Sequence, residues 1–315
     1  MNAHNGFETA AQSLGSLVAL ALLSLILPSG ALRAQDLEPR FMSPAPVGMN
    51  FALAGYAYSQ GNVLLDAALP LEGTDARLHA ISLAYGRSIG VFGLSGLVTA
   101  VVPLANGKWF GELEGVDTST TRNGVGDPLV MFAVNFVGAP AMRLSEFGTY
   151  RAKTILGASL KVRIPIGQYN SSKFFNLSTG RWMISPRLGL AHYLGRFGLE
   201  AYVSAWFFTM NKNFWGGNTV AQDPFVGAQI HVSYLFRRGF WGAVSFGQGF
   251  GGRTTVNGEE NDDEQRNNRL GATLAYPITR QHTLKAAYTA GVTTRAGADF
   301  DTFVIAWQYR WGGRP

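Results

Sequence analysis

The sequence predicts an all-β fold, a transmembrane antiparallel up-and-down β-barrel of about 12 strands. Three observations predict it. The first is strict alternation, clearest in 152–170, AKTILGASLKVRIPIGQYN. One set of alternate residues is Ala152, Thr154, Leu156, Ala158, Leu160, Val162, Ile164 and Ile166; the other is Lys153, Ile155, Gly157, Ser159, Lys161 and Arg163. A period of two puts an apolar and a small, polar or basic set on opposite faces of a strand. The second is composition. Charged residues are 15% of the 315-residue chain, below the roughly 25% of soluble domains, yet mean hydropathy is only +0.07. Past the N-terminal region no run of apolar residues is long enough for a spanning helix, whereas a barrel strand shows lipid one face only. The third is the spacing of turns, which alternates between tight and long along the chain.

The elements follow in order. Leu14–Leu27 is one apolar run, followed by Pro28, Ser29, Gly30 and a small residue at Ala34. This reads as a signal peptide over 1–34. It departs from the usual form, since no Lys or Arg precedes the apolar run and Glu8 does. Residues 35–48, with Pro44 and Pro46, read as an extended periplasmic leader, and 49–315 as the barrel. The expected strands are 49–60, 77–90, 93–104, 125–137, 152–166, 181–194, 198–210, 224–236, 240–250, 268–277, 283–294 and 301–311. Long connections are expected at 61–76, 105–124, 167–180, 211–223, 251–267 and 295–300, and tight ones at 91–92, 195–197, 237–239 and 278–282. Short periplasmic turns and longer extracellular loops produce this asymmetry, which places both termini in the periplasm. The stretch 138–151 breaks it and predicts a small helix, with Ser145 as cap and Met142, Leu144 and Phe147 packing. Pro165 and Pro186 interrupt strand patterns and predict local bulges.

The lipid face is legible in Val130, Phe132, Val134 and Phe136, in Leu199 through Phe207, in Leu284 through Val292, and in Phe303 through Trp311. Aromatics near strand ends, such as Phe136, Tyr234, Tyr276 and Trp311, suit interfacial girdles. The opposite faces predict a lumen lined by Lys153, Lys161, Arg163, Arg181, Arg187, Glu200, Arg269, Lys285 and Arg310. Arg163 and Arg181 are expected near one rim, with Lys161 and Arg187 just below. Such a cluster implies water or bound anions, because like charges are costly in a dry interior. It serves either as an anion-attracting pore wall or as a structural network completed by inward-folded carboxylates.

Other chemistries find less support. The net charge of +6 comes from scattered residues, without the clustered basic face of a nucleic-acid binder. With no cysteine, disulfides and thiolate metal sites are excluded. The acidic block Glu259–Glu264 lacks the every-second-residue spacing of a calcium loop and reads as a solvated loop. Neither a metal nor another cofactor is expected. A lipid hydrolase needs a serine and a histidine base in reach. His231 shares a face with Ser233 and Gln229, but residues two apart on a strand lie about 7 Å apart, too far for a direct bond.

Several stretches resemble one family. They are Gly124-Val125-Gly126-Asp127-Pro128, Asn135 to Ala141, Gly157 through Tyr169, Asn176 to Trp182, Gln222-Asp223-Pro224, Gly251 to Thr255, and Ala306 to Gly313. Together they are similar to the putative MetA-pathway of phenol degradation family. The resemblance spans nearly all of the chain after the leader. It implies a Gram-negative outer-membrane barrel linked to uptake of aromatic compounds, with no established site residues to carry over. The expected function is a channel passing small hydrophobic or aromatic solutes, anionic ones among them, by passive diffusion. The alternatives are a closed structural or adhesive barrel and an outer-membrane phospholipase. Expected partners are outer-membrane lipid, the barrel-assembly machinery and a small-molecule solute. Trp307, Tyr309 and Trp311 fit a terminal assembly signal, although Gly312 to Pro315 extend past it.

Overall fold

The computed structural model describes residues 37–64, 71–113, 116–173 and 175–313. The signal peptide expected over 1–34 lies outside these residues. The strands are β1 Met49–Leu64, β2 Leu71–Val91, β3 Leu94–Leu113, β4 Val116–Val125, β5 Leu129–Pro140, β6 Thr154–Arg163, β7 Met183–Leu194 and β8 Phe197–Phe208. They continue as β9 Asn211–Phe214, β10 Asn218–Gln222, β11 Phe225–Arg237, β12 Phe240–Gly251, β13 Thr254–Val256, β14 Glu259–Glu260, β15 Gln265–Pro277, β16 His282–Thr294 and β17 Gly297–Gly312. Every sheet pairing is antiparallel, and β1 pairs with both β2 and β17, which closes the cylinder. β4 and β5 are two halves of one wall strand: β4 pairs with residues 104–113 of β3, β5 with the remainder. The wall therefore has 12 strands, and no edge is left open where β1 meets β17.

Each expected strand is present, and its lipid face is where alternation puts it. In β5, Leu129, Met131 and Ala133 are buried while Val130 and Phe132 are exposed. In β17, Phe303, Ile305, Trp307 and Trp311 face outward, and Thr302, Ala306, Gln308 and Arg310 face inward. A ring stack of His282, Trp307, Tyr309 and Trp311 runs along the outer face of β16 and β17, with centroid separations of 4.9–6.4 Å. Apolar area on such a face is stabilised by lipid rather than by protein.

The differences lie mostly at the ends of the strands. The expected loops 61–76 and 105–124 are largely strand, because β2, β3 and β4 continue well past the apolar band. Their extensions read as loops because Thr118, Ser119, Thr120 and Thr121 break the apolar alternation, although the β-branched threonines suit a strand. The loops 211–223 and 251–267 form a small four-stranded sheet in the order β14-β13-β10-β9. In 138–151 the helix α1, Leu144–Phe147, does form, with Met142 and Phe147 buried. Its cap is Arg143 rather than Ser145, the Arg143 amide donating to Glu146 Oε2 at 2.7 Å, and Leu144 is exposed. Pro165 falls beyond the end of β6. At Pro186 the β7–β8 ladder loses two pairings and resumes in the same register, so the strand absorbs the missing donor without a bulge.

The leader is the largest departure. Residues 37–48 do not extend away from the barrel but fold into it, with Glu38, Arg40, Phe41 and Met42 all buried. Their apolar and charged side chains find complementary partners on the inner wall that solvent does not offer.

Candidate functional site inside the barrel

Eight of the nine residues expected in the lumen do line the inner wall. Lys161, Arg163, Arg181, Arg187, Glu200, Arg269, Lys285 and Arg310 are all buried there. Lys153 is the exception. β6 begins at Thr154, so Lys153 lies beyond the strand end and its side chain is exposed. Register brings the central cations together: Lys161 faces Ser185 and Arg187 faces Ser159 across the β6–β7 pair.

The carboxylate that answers them comes from the arm, 37–48. Glu38 accepts from Lys161 Nζ at 3.1 Å and also bonds Arg187 Nη1. Two residues on, the Arg40 amide donates to Glu200 Oε2 at 2.5 Å, and the Tyr202 hydroxyl donates to the same oxygen. Arg40 has φ 64°, a left-handed conformation that costs a residue with a Cβ about 1–2 kcal/mol. The bond to Glu200 offsets that cost. The Arg40 guanidinium lies 5.4 Å from the Tyr193 ring centroid and 5.7 Å from that of Trp241. Phe41 meets Tyr202 edge to face at 6.0 Å, and the Arg187 guanidinium covers Phe41 at 4.8 Å. Nearer the strand ends, Asn135 Nδ2 donates to the Met42 carbonyl at 3.1 Å, and Ser88 binds both Met49 and Pro46.

Glycines make the room. A Cβ built at Gly157 would lie 2.6 Å from Met42 Sδ, and one at Gly189 would lie 2.6 Å from Met42 Cε. At Gly247 and Gly271 it would come within 2.8 and 2.7 Å of the Leu37 side chain. These positions face inward on β6, β7, β12 and β15. Larger residues there would fill the space the arm occupies.

The other inner cations have local partners. Arg181 Nη2 donates to Gln222 Oε1 at 2.5 Å and its guanidinium covers Phe208 at 4.9 Å. Arg269 donates to the Ala298 carbonyl at 3.3 Å, Arg310 Nε to the Arg280 carbonyl at 2.7 Å, and Lys285 Nζ lies 5.9 Å from the Trp241 ring. His231 is buried and its Nδ1 lies 2.7 Å from Ser245 Oγ, on the neighbouring strand, rather than near Ser233. Glu200, which faces His231 across the β8–β11 pair, bonds Arg40 and Tyr202 through Oε2. In the acidic loop, Glu260 pairs with Arg253, Asp262 with Arg295, and Asp263 accepts from Thr254 N and Oγ1. Among the described residues no three His, Cys, Asp or Glu are grouped to hold a metal ion.

The long-loop end closes differently. Residues 164–173 and 175–180 fold inward beside β4. The Gln168 amide donates to the Val125 carbonyl at 2.8 Å and that of Ile164 to Pro128 at 2.9 Å. Phe175 stacks on Trp109 at 5.1 Å, and Leu177 joins Ala76, Leu78, Trp109 and Phe300 in a buried cluster. Asp127, fully buried between β4 and β5, clamps the loop: its carboxylate accepts from the Gly167 amide at 3.1 Å and the Thr179 amide at 2.9 Å.

With this geometry in place, the match to known proteins is specific. The family model described as putative MetA-pathway of phenol degradation aligns with residues 52–307. The chain belongs to that family. The matched span holds the clamp of Asp127, the inward loop and every inner-wall cation except Arg310, while the arm lies before it. Among solved structures, the COG4313 outer membrane channel from Pseudomonas putida F1 superposes with TM-score 0.72 at 18% identity, covering 85% of this chain and 97% of that one. Looser matches are the β domain of the Bordetella autotransporter BrkA, with TM-score 0.46, 13% identity and coverage of 84% and 100%, and the NanC porin, with 0.44, 10% and coverage of 82% and 98%. No curated protein matches the sequence.

The arm is what sequence reasoning missed. Two signals pointed to it: a basic excess among the inward-facing strand residues, whose acid is Glu200 of β8, and glycines recurring on the inner face of four strands.

Proposed function

We propose that the protein is an outer-membrane channel for small hydrophobic or aromatic solutes, anionic ones included, which cross by passive diffusion. The long-loop end faces outward and the tight-turn end, where the arm enters, faces the periplasm. One observation carries the reading. The central cations of the wall, Lys161 and Arg187, are answered by Glu38 of a segment that precedes the strands, not by acids built into the strands. A barrel selected only for rigidity has no need of such an arrangement, because wall-to-wall pairs hold without a separate arm. Membership in a family named for phenol degradation supports aromatic solutes.

The purified protein in planar bilayers is expected to show discrete conductance with anion preference. Replacing Lys161, Arg163 and Arg181 with Glu should reverse that preference. Silent bilayers, together with unchanged solute uptake in a deletion strain, would exclude the channel. A second reading, a closed structural barrel, is favoured by one observation: both the arm and the inward loop obstruct the lumen. It expects no conductance even from protein lacking residues 37–47.

A further inference from the structure

We propose that Lys161, Arg187, Ser204 and Tyr202 form a binding site for an aromatic carboxylate, which the arm fills with its own Glu38 and Phe41 when no solute is present. The proposal rests on the channel reading, and names the class of solute and the place it binds.

The arm presents two chemical pieces together. Glu38 and Phe41 are three residues apart across a turn, and both lie on Arg187. The Glu38 carboxylate is fully enclosed and is shared by Lys161 and Arg187. The Phe41 ring packs edge to face on Tyr202 at 6.0 Å and under the Arg187 guanidinium at 4.8 Å. The receiving side is organised on rigid strands. Arg187 Nε donates to Ser204 Oγ at 2.9 Å, which fixes the plane of the guanidinium and turns Nη1 toward the carboxylate. Tyr202 is held by its hydroxyl bond to Glu200. A carboxylate on a planar guanidinium with an aromatic ring alongside is the pattern an aromatic acid satisfies as a single molecule.

Charge decides which solutes can exchange with the arm. When Glu38 withdraws, Lys161 and Arg187 lose their shared anion in a buried site, which is strongly disfavoured. A neutral aromatic fills the place of Phe41 but does not replace the anion that both cations share. A small anion answers the cations and leaves the ring position empty. An aromatic carboxylate replaces both contacts at once, so it releases the arm most readily.

The test follows hydrogen exchange of residues 37–48 in the full-length protein in detergent, titrated with benzoate, acetate or benzyl alcohol. Benzoate is expected to raise exchange in the arm at least tenfold, saturably, with acetate and benzyl alcohol far weaker at equal concentration. Glu38→Gln and Phe41→Ala leave the wall untouched and should each lower the half-effect concentration of benzoate, Glu38→Gln by about tenfold. Arg187→Met should abolish the benzoate effect; if that variant does not fold, the two arm variants still decide. No response to benzoate, an equal response to acetate or benzyl alcohol, or an unchanged half-effect concentration in Glu38→Gln would overturn the site. Conductance is read separately. Protein lacking residues 37–47 that conducts, while benzoate leaves the intact arm protected, defeats the site and keeps the channel; an arm released by benzoate in a barrel that never conducts keeps the site and defeats the channel.

Discussion

Two segments fold against the inner wall, and they differ in what holds them at their centre. The inward loop, 164–173 and 175–180, is fixed by an apolar cluster around Leu177, Trp109 and Phe300, by backbone bonds to the adjacent strands and by amides that donate to the Asp127 carboxylate. The arm 37–48 also buries Phe41 and Met42, but its central anchor is ionic, Glu38 between Lys161 and Arg187. The distinction governs how each can move. An apolar cluster loses its stabilisation when it opens, and no small molecule restores all of it. An ion pair in a confined space is a near-balance of desolvation against attraction, so another anion can take over one side. On the proposal above, the loop acts as part of the wall and the arm as an exchangeable occupant.

The comparison can be broken first at its ionic side. Glu38→Ala leaves two buried cations without their shared partner and should weaken arm docking by about 3–5 kcal/mol. Rapid proteolysis within 37–48 of an otherwise intact barrel would report it; an arm still protected would mean that the apolar contacts alone hold it. Leu177→Ala tests the other segment. Loss of a fully packed leucine costs about 2–5 kcal/mol, and the loop should become protease-sensitive while the arm stays protected. Gly247→Leu sharpens the arm side without touching a charge. The new side chain claims the space of Leu37, whose Cδ2 would lie 2.8 Å from the added Cβ. Docking should weaken by about 1–3 kcal/mol, seen as faster hydrogen exchange near residue 37. The smallest effect is expected from Arg295→Ala, which removes the exposed pair with Asp262. Exposed pairs contribute about 0–1 kcal/mol, so thermal unfolding and arm exchange should both stay close to those of the unaltered protein.

What could be read in advance follows from distance along the chain. Strand existence, lipid face and register depend on alternation within ten or so residues, and Val130, Leu199 and Phe303 announce them locally. The inner cations were equally visible, since any inward position of such a strand is marked by its outward neighbours. Lys153 was misjudged because a strand boundary, unlike a strand, has no periodic signature. The extensions of β2–β4 were missed because above the apolar band neither face needs to be greasy. The inward loop gave no period at all: Asp127 reaches Thr179 across 52 residues. The partners of the arm are more distant still, with Lys161 and Arg187 lying 123 and 149 residues from Glu38.

The sequence by itself determined a closed antiparallel barrel, its strand number, its lipid-facing surface and a basic inner wall. Each follows from a short-range pattern imposed by lipid on one side of a pleated strand. Only the tertiary structure decided what stands inside the wall: that Glu38 and Phe41 occupy the site of Lys161, Arg187 and Tyr202, and that glycines of four strands form the seat of Leu37 and Met42. Those contacts exist only once β6, β7, β8, β12 and β15 are curved around a common axis, because closure of the cylinder is what brings their inner faces together on one short segment.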